Sequence, residues 1–168
     1  MGLKLDLACG ASKRSGFSGV DIVPLQGVDF VHDLNIIPWP FKDDSVEEAY
    51  CSHYVEHVQN LPAFFDELYR VLKPGGKCLV ICPYYTSIAS MQDPFHVRPI
   101  SELTFLYYNK TWRQGSKIEH YPIKADFDLT YGFVYYQEWE SANEKDKAFA
   151  VKHYNNVVSE VQVVMTKR

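Results

Sequence analysis

With 168 residues, 46% of them hydrophobic, and a net charge of −4, the chain has material for one domain with a continuous core and lacks the basic surplus of a nucleic-acid binder. No apolar run approaches the ~20 residues that a membrane-spanning helix needs, and the N-terminus lacks the basic-then-apolar pattern of a signal peptide, so no membrane association and a cytoplasmic location are expected. Cys9, Cys51, Cys78 and Cys82 form neither a CxxC pair nor a disulfide ladder, and read as reduced, buried small residues.

In chain order, Leu3 to Ala8 alternates and then gives way to Cys9-Gly10-Ala11-Ser12, a strand running into a turn that small residues permit. Phe17 to Ile22, Val28 to Val31, Val46 to Ser52 and Lys77 to Cys82 are short apolar runs bounded by Gly, Pro, Asp or Asn, as strands of a mostly parallel sheet should be. The clearest helix starts after Asn60, a good N-cap, and carries Leu61, Phe64, Phe65, Leu68, Val71 and Leu72 on one face until Lys73-Pro74-Gly75-Gly76 stops it. It joins two predicted strands, as the crossover of a right-handed βαβ unit does. Over 84–126 the periodicity is weak and aromatics are frequent, with one short helix predicted from Ser101 to Tyr108; this stretch reads as an insertion or lid above the sheet. Phe127 to Trp139 and Val157 to Thr166 alternate around a polar stretch, Ser141 to Asn156, and predict a closing antiparallel pair.

The fold class is therefore α/β: a Rossmann-like doubly wound, mostly parallel sheet with an antiparallel C-terminal edge strand, in a single domain over 1–168. Asp6 and Asp21 stand too close in sequence for a full first crossover helix. Strand 1 begins almost at Met1, so a reduced N-terminus is expected, with the site closed by 84–126, by a second subunit of a homo-oligomer, or left open.

In such a sheet the ligand sits beyond the carboxyl ends of the strands, with small residues shaping the first turn and an acidic residue closing the next strand onto ribose hydroxyls. Cys9-Gly10-Ala11-Ser12 lets backbone approach a ligand, and Asp21 ends the second strand in Gly19-Val20-Asp21-Ile22. His53-Tyr54-Val55-Glu56-His57 matches the HxxEH pattern in which two histidines four apart on a helix bind zinc. The segment follows a strand and no third-ligand motif is evident, so no metal is expected. Gln92-Asp93-Pro94-Phe95-His96 is a polar turn ending in a histidine, balanced between a site residue and a surface one.

LDLACG at Leu5–Gly10, Val20-Asp21-Ile22, His32-Asp33-Leu34, the strand ending Cys51-Ser52-His53, and RVLKPGGKCLVI from Arg70 together resemble class I S-adenosylmethionine-dependent methyltransferases. The resemblance implies that S-adenosylmethionine is the cofactor and S-adenosylhomocysteine the product. It places Asp6, Ala8, Cys9, Gly10, Ala11, Asp21, Ile22, Asp33, Leu34, Ser52 and His53 at the cofactor. Gly10 would face the methionine end, Asp21 the ribose, Asp33 and Leu34 the adenine, and Ser52-His53 the methyl-donor side, while Asp6 would orient the amino acid moiety. This chain departs from the family at Ala8, where Gly is usual. His96, then His57 and Glu56, are the expected bases for an acceptor that must lose a proton. A small-molecule acceptor is favoured by the acidic charge and the aromatic insertion. A non-catalytic module that binds the cofactor, and an NAD-type or nucleotide-sugar oxidoreductase, stand as alternatives, the latter weakened by the absence of GxGxxG.

Overall fold

Parallel pairing of β1 (Leu3–Leu7) with β2 (Ser18–Asp21) on one side and β4 (Val46–Ser52) on the other puts the first strand at the centre of the sheet in the computed structural model, which describes residues 2–168. β3 (Val28–Val31) extends the sheet beyond β2, and β5 (Leu72–Pro83) extends it beyond β4. β7 (Val158–Lys167) runs antiparallel against β5, and β6 (Phe127–Tyr135) lies outside it. The resulting order, β3-β2-β1-β4-β5-β7-β6, is the expected mostly parallel sheet with an antiparallel pair at its C-terminal side. The chain first steps outward to β2 and β3, then returns to β4 on the other flank of β1. That reversal opens a crevice at the carboxyl ends of β1 and β4.

α1 (Leu61–Val71) forms as its sequence predicts: the Asn60 side chain accepts a hydrogen bond from the Ala63 N–H at 3.1 Å, and Pro62 sits in the first turn, where it costs nothing. Leu72 is already extended and pairs with Val46, so β5 starts five residues before the expected Lys77 and includes the Pro74-Gly75 kink. The apolar face of α1, with Phe64, Phe65, Leu68 and Val71, covers the side of the sheet that carries Leu5, Leu7, Ala49, Cys51, Cys78 and Val80. The four cysteines are free and buried, as expected.

The 84–126 stretch divides in two. α3 (Glu102–Leu106), capped by Ser101 and Thr104, and α4 (Lys110–Gly115) belong to the packed layer: the Phe65 ring lies 5.8 Å from Phe105 and 4.3 Å from Tyr108. Around α2 (Ile88–Gln92) the chain instead stands open, with Met91 and Phe95 more than two-thirds exposed. β6 ends at Tyr135, short of the expected Trp139, which falls in α5 (Gln137–Glu140), and the polar stretch before β7 contains α6 (Glu144–His153).

The 8–17 connection holds no helix, in keeping with the short spacing. It crosses the opposite face of the sheet as turns. Asp6, buried on that face, accepts the Arg14 N–H at 2.6 Å, the Arg14 guanidinium stacks 4.6 Å over Tyr50, and Lys13 pairs with Asp29 at 2.8 Å. A carboxylate and two cations thereby do the packing that an apolar helix face does elsewhere.

Candidate functional site

Two left-handed residues shape the turn after β1: Ala8, with φ +56°, and Gly10, with φ +54°. A left-handed φ explains why glycine suits both positions, and Ala8 holds it at a cost of about 1–2 kcal/mol. Nothing lies within 4 Å of where a Gly10 side chain would start, so this turn faces open space. The Gly10 N–H donates to Asp21 Oδ2 at 2.9 Å and the Val23 N–H to Asp21 Oδ1 at 3.0 Å, which fixes the carboxylate at the strand end. Each oxygen keeps a lone pair free for a hydroxyl donor.

Ala8, Asp21, Ile22, Asp33 and Leu34 line one cavity of about 270 Å³ at the carboxyl ends of β1 and β2. Leu34 is buried beneath it, and Asp33 caps its own turn by accepting the Asn35 N–H at 2.9 Å. His32, Asn35 and Tyr54 complete the walls; the sequence reading passed over all three. Asn35 directly follows His32-Asp33-Leu34, and its amide donates to the Tyr54 hydroxyl at 3.3 Å and to Asp33 at 3.1 Å. Burial pushes the Tyr54 phenol well above its ordinary value, keeping it a neutral hydrogen-bonding group.

Other expected cofactor residues lie beside this cavity. Asp6 sits beneath the 8–17 crossover, where burial raises its carboxyl above the usual range and its bond goes to Arg14 backbone. The Cys9 sulfur packs against Gly19, at 2.7 Å from the position a side chain there would take, so Cys9 offers the crevice its backbone alone. Ala11 is exposed on the turn. Ser52 ends β4, and His53, the residue after it with φ +53°, places its Nε2 3.0 Å from Glu160 Oε1.

The cavity floor depends on α1. Leu34 O accepts the Trp39 indole N–H at 3.1 Å, and Trp39 N–H donates to Glu67 Oε1 at 2.6 Å. Arg70 grips the same Glu67 carboxylate with two nitrogens at 2.5 and 2.9 Å and donates to Phe41 O at 2.9 Å. The Trp39–Phe41 stretch and the arginine of RVLKPGG are thus one clasp, a pairing that neither stretch announces alone. A larger cavity of about 480 Å³ lies along α1 among these ion pairs, with Ile37, Ala63, Asp44 and Lys167 in its wall.

Toward β5 lies a second polar cluster. Residues 53–57 form turns instead of a helix, so the zinc-binding helix pattern of His53 and His57 is not realised. The Asp93–Arg98 turn docks on this segment: Val97 N–H donates to Glu56 O at 2.9 Å and Arg98 donates to Gln59 O at 2.9 Å. His96 thereby arrives with Nε2 3.9 Å from Glu56 Oε1, and its ring centroid stands 4.7 Å from that of His57. Glu56 is 2% exposed, and neither carboxylate oxygen has a hydrogen-bond partner. Burial raises its carboxyl above the ordinary range.

Residues 5–80 match the family model of a methyltransferase domain. Over the full chain, the fold matches a SAM-dependent methyltransferase from Archaeoglobus fulgidus with a TM-score of 0.69, covering 99% of this chain and 86% of that one at 18% identity. The matched stretch runs from β1 into β5, and the whole chain shares the fold of that methyltransferase. A probable S-adenosylmethionine-dependent methyltransferase from Mycolicibacterium smegmatis is 32% identical over 112 residues, 63% of this chain and 40% of that protein. A 2-phytyl-1,4-naphtoquinone methyltransferase from Nostoc is 27% identical over 106 residues, 46% of this chain and 44% of that protein. This chain spans less than half the length of the curated relatives it matches. Among the described residues no helix is long and apolar enough to cross a membrane.

Proposed function

We propose that this chain transfers a methyl group from S-adenosylmethionine to a small-molecule acceptor bound beside the carboxyl end of β4. The observation that carries the reading is the junction of the left-handed Ala8–Gly10 turn with Asp21, whose carboxylate is held by two backbone N–H groups at the rim of the cavity. The ribose hydroxyls donate to Asp21, the adenine lies against Leu34 between Asp33 and Ile22, and the methionine end follows the turn toward Ser52 and His53. Methyl transfer from a sulfonium is an in-line displacement, so positioning carries most of the catalysis.

Glu56, His57 and His96 are the acceptor-side groups in this reading, with His96 the foremost. Residues 85–98 act as the lid: their exposed Met91 and Phe95 gain cover when the site closes. The free, buried cysteines suit a reducing compartment, and we place the protein in the cytoplasm. The related naphthoquinone enzyme supports a small-molecule acceptor. S-adenosylhomocysteine at millimolar concentration should raise the thermal midpoint while NAD leaves it unchanged, because a ligand of the native state alone stabilises by RT ln(1 + [L]/Kd). The opposite ranking would overturn the proposal.

A further inference from the structure

Glu56 poses a problem that methyl transfer alone does not solve. A carboxylate with no hydrogen-bond partner, 2% exposed, costs several kcal/mol unless something charged compensates it. The groups facing it are imidazoles: His96 Nε2 at 3.9 Å and His53 Nδ1 at 3.7 Å from Glu56 Oε1. None reaches hydrogen-bond distance, so the space between them is too wide for a direct bond.

The histidines are oriented for something else. His96 Nδ1 is 2.9 Å from Ser90 O and His57 Nδ1 is 3.2 Å from Phe95 O. A backbone carbonyl only accepts, so each Nδ1 is the donor to its carbonyl, and the second ring nitrogen, Nε2, is not taken up by that bond. Backbone carbonyls that fix Nδ1–H and free Nε2 are the usual second layer around a metal ion. Glu56, His57 and His96 each offer one ligand atom, all within 4.8 Å of one another. Donors around a four-coordinate zinc-type ion stand about 3.3 Å apart, so a small inward movement of three side chains closes the site.

We infer that Glu56, His57 and His96 form a binding site for a divalent transition-metal ion, with two imidazoles and one carboxylate as ligands. Two nitrogens and one oxygen favour zinc, ferrous iron or manganese over calcium or magnesium, which prefer oxygen alone. Three protein ligands leave coordination positions for water or an acceptor oxygen. That last role rests on the methyl-transfer reading; ion binding itself does not. The sequence pattern pairs His53 with His57, whereas the fold brings His57 beside His96.

The test is a titration of the tag-free, metal-stripped protein with Co²⁺, whose visible absorption reports imidazole ligation, followed by displacement with Zn²⁺. One Co²⁺ per chain is expected. Glu56→Gln, His57→Ala and His96→Ala should each weaken binding at least tenfold, and His120→Ala, on an exposed loop, should match the wild type. Glu56→Gln is nearly isosteric and removes a buried charge, so it keeps the fold, checked by circular dichroism, and decides the matter should an alanine variant unfold. No saturable Co²⁺ absorption in the wild type, or unchanged affinity in Glu56→Gln, would overturn the site. A wild type that binds Co²⁺ but shows no thermal shift with S-adenosylhomocysteine would retain the metal site and sink the methyl-transfer reading.

Discussion

On the β1–β2 side of the carboxyl edge, each polar group is held by backbone close to it in sequence: Asp21 by Gly10 and Val23, Asp33 by Asn35. On the β4–β5 side, Glu56 meets His96 only because the distant Asp93–Arg98 turn docks through Val97 and Arg98. The first half is made of satisfied carboxylates around open space. The second is a buried carboxylate without a hydrogen bond among histidines. A site can thus divide its labour, with a pre-formed backbone cradle for one ligand and a side-chain cluster that something further must complete.

The largest effect should come from the clasp beneath the cradle. Arg70→Ala leaves Glu67, 5% exposed at its side chain, with no cation and removes the grip on Phe41 O. Because Arg70 is 27% exposed, the lower end of buried-pair costs applies, about 2–3 kcal/mol or about 5–10 °C in thermal midpoint. Cofactor affinity should fall with it, since Leu34 and Trp39 lose their anchor. A midpoint within 2 °C of wild type, measured by calorimetry, would detach the cradle from α1.

Asp6→Asn sharpens the contrast in a second way. Burial raises the Asp6 carboxyl, so the folded state holds its proton more tightly than the unfolded chain. Its favourable contribution is therefore complete below the ordinary carboxyl range, about pH 4, and is lost as pH rises through the folded value. Asparagine keeps an acceptor for Arg14 N–H without the charge, so the variant should gain stability relative to wild type at pH 7, and the gain should vanish near pH 3. Denaturant midpoints at the two pH values test this. A variant less stable at pH 7 would mean that Lys13 and Arg14 compensate the charge fully.

Ala8→Gly should be the smallest change. Relief of the left-handed strain is offset by the greater freedom of glycine in the unfolded chain, leaving a gain of no more than about 1 kcal/mol. A loss of stability would show that the Ala8 methyl packs to advantage.

How much of this was legible in the sequence follows the same division. The strands, α1 with its Asn60 cap and Asp21 could be read because each depends on local spacing or on a short chain of neighbours. The absent first crossover helix was readable from the short gap between Asp6 and Asp21. The Arg70–Glu67–Trp39 clasp was not, because its partners belong to two separate motifs. Tyr54 was hidden inside a pattern that drew attention to its flanking histidines. The 84–126 stretch looked uniform in its aromatics, yet Phe105 and Tyr108 are core while Phe95 is 77% exposed, a distinction that depends on where α1 lies.

In the proposed function the two halves act separately, one on the cofactor and one on the acceptor side. Calorimetric titration of S-adenosylhomocysteine into Asp21→Ala and His96→Ala tests it most directly. Loss of a charge-assisted hydrogen bond should weaken binding tenfold or more in Asp21→Ala, about 1.4 kcal/mol, and His96→Ala should bind within about twofold of wild type. Equal losses in the two variants, or none in Asp21→Ala, would contradict the account.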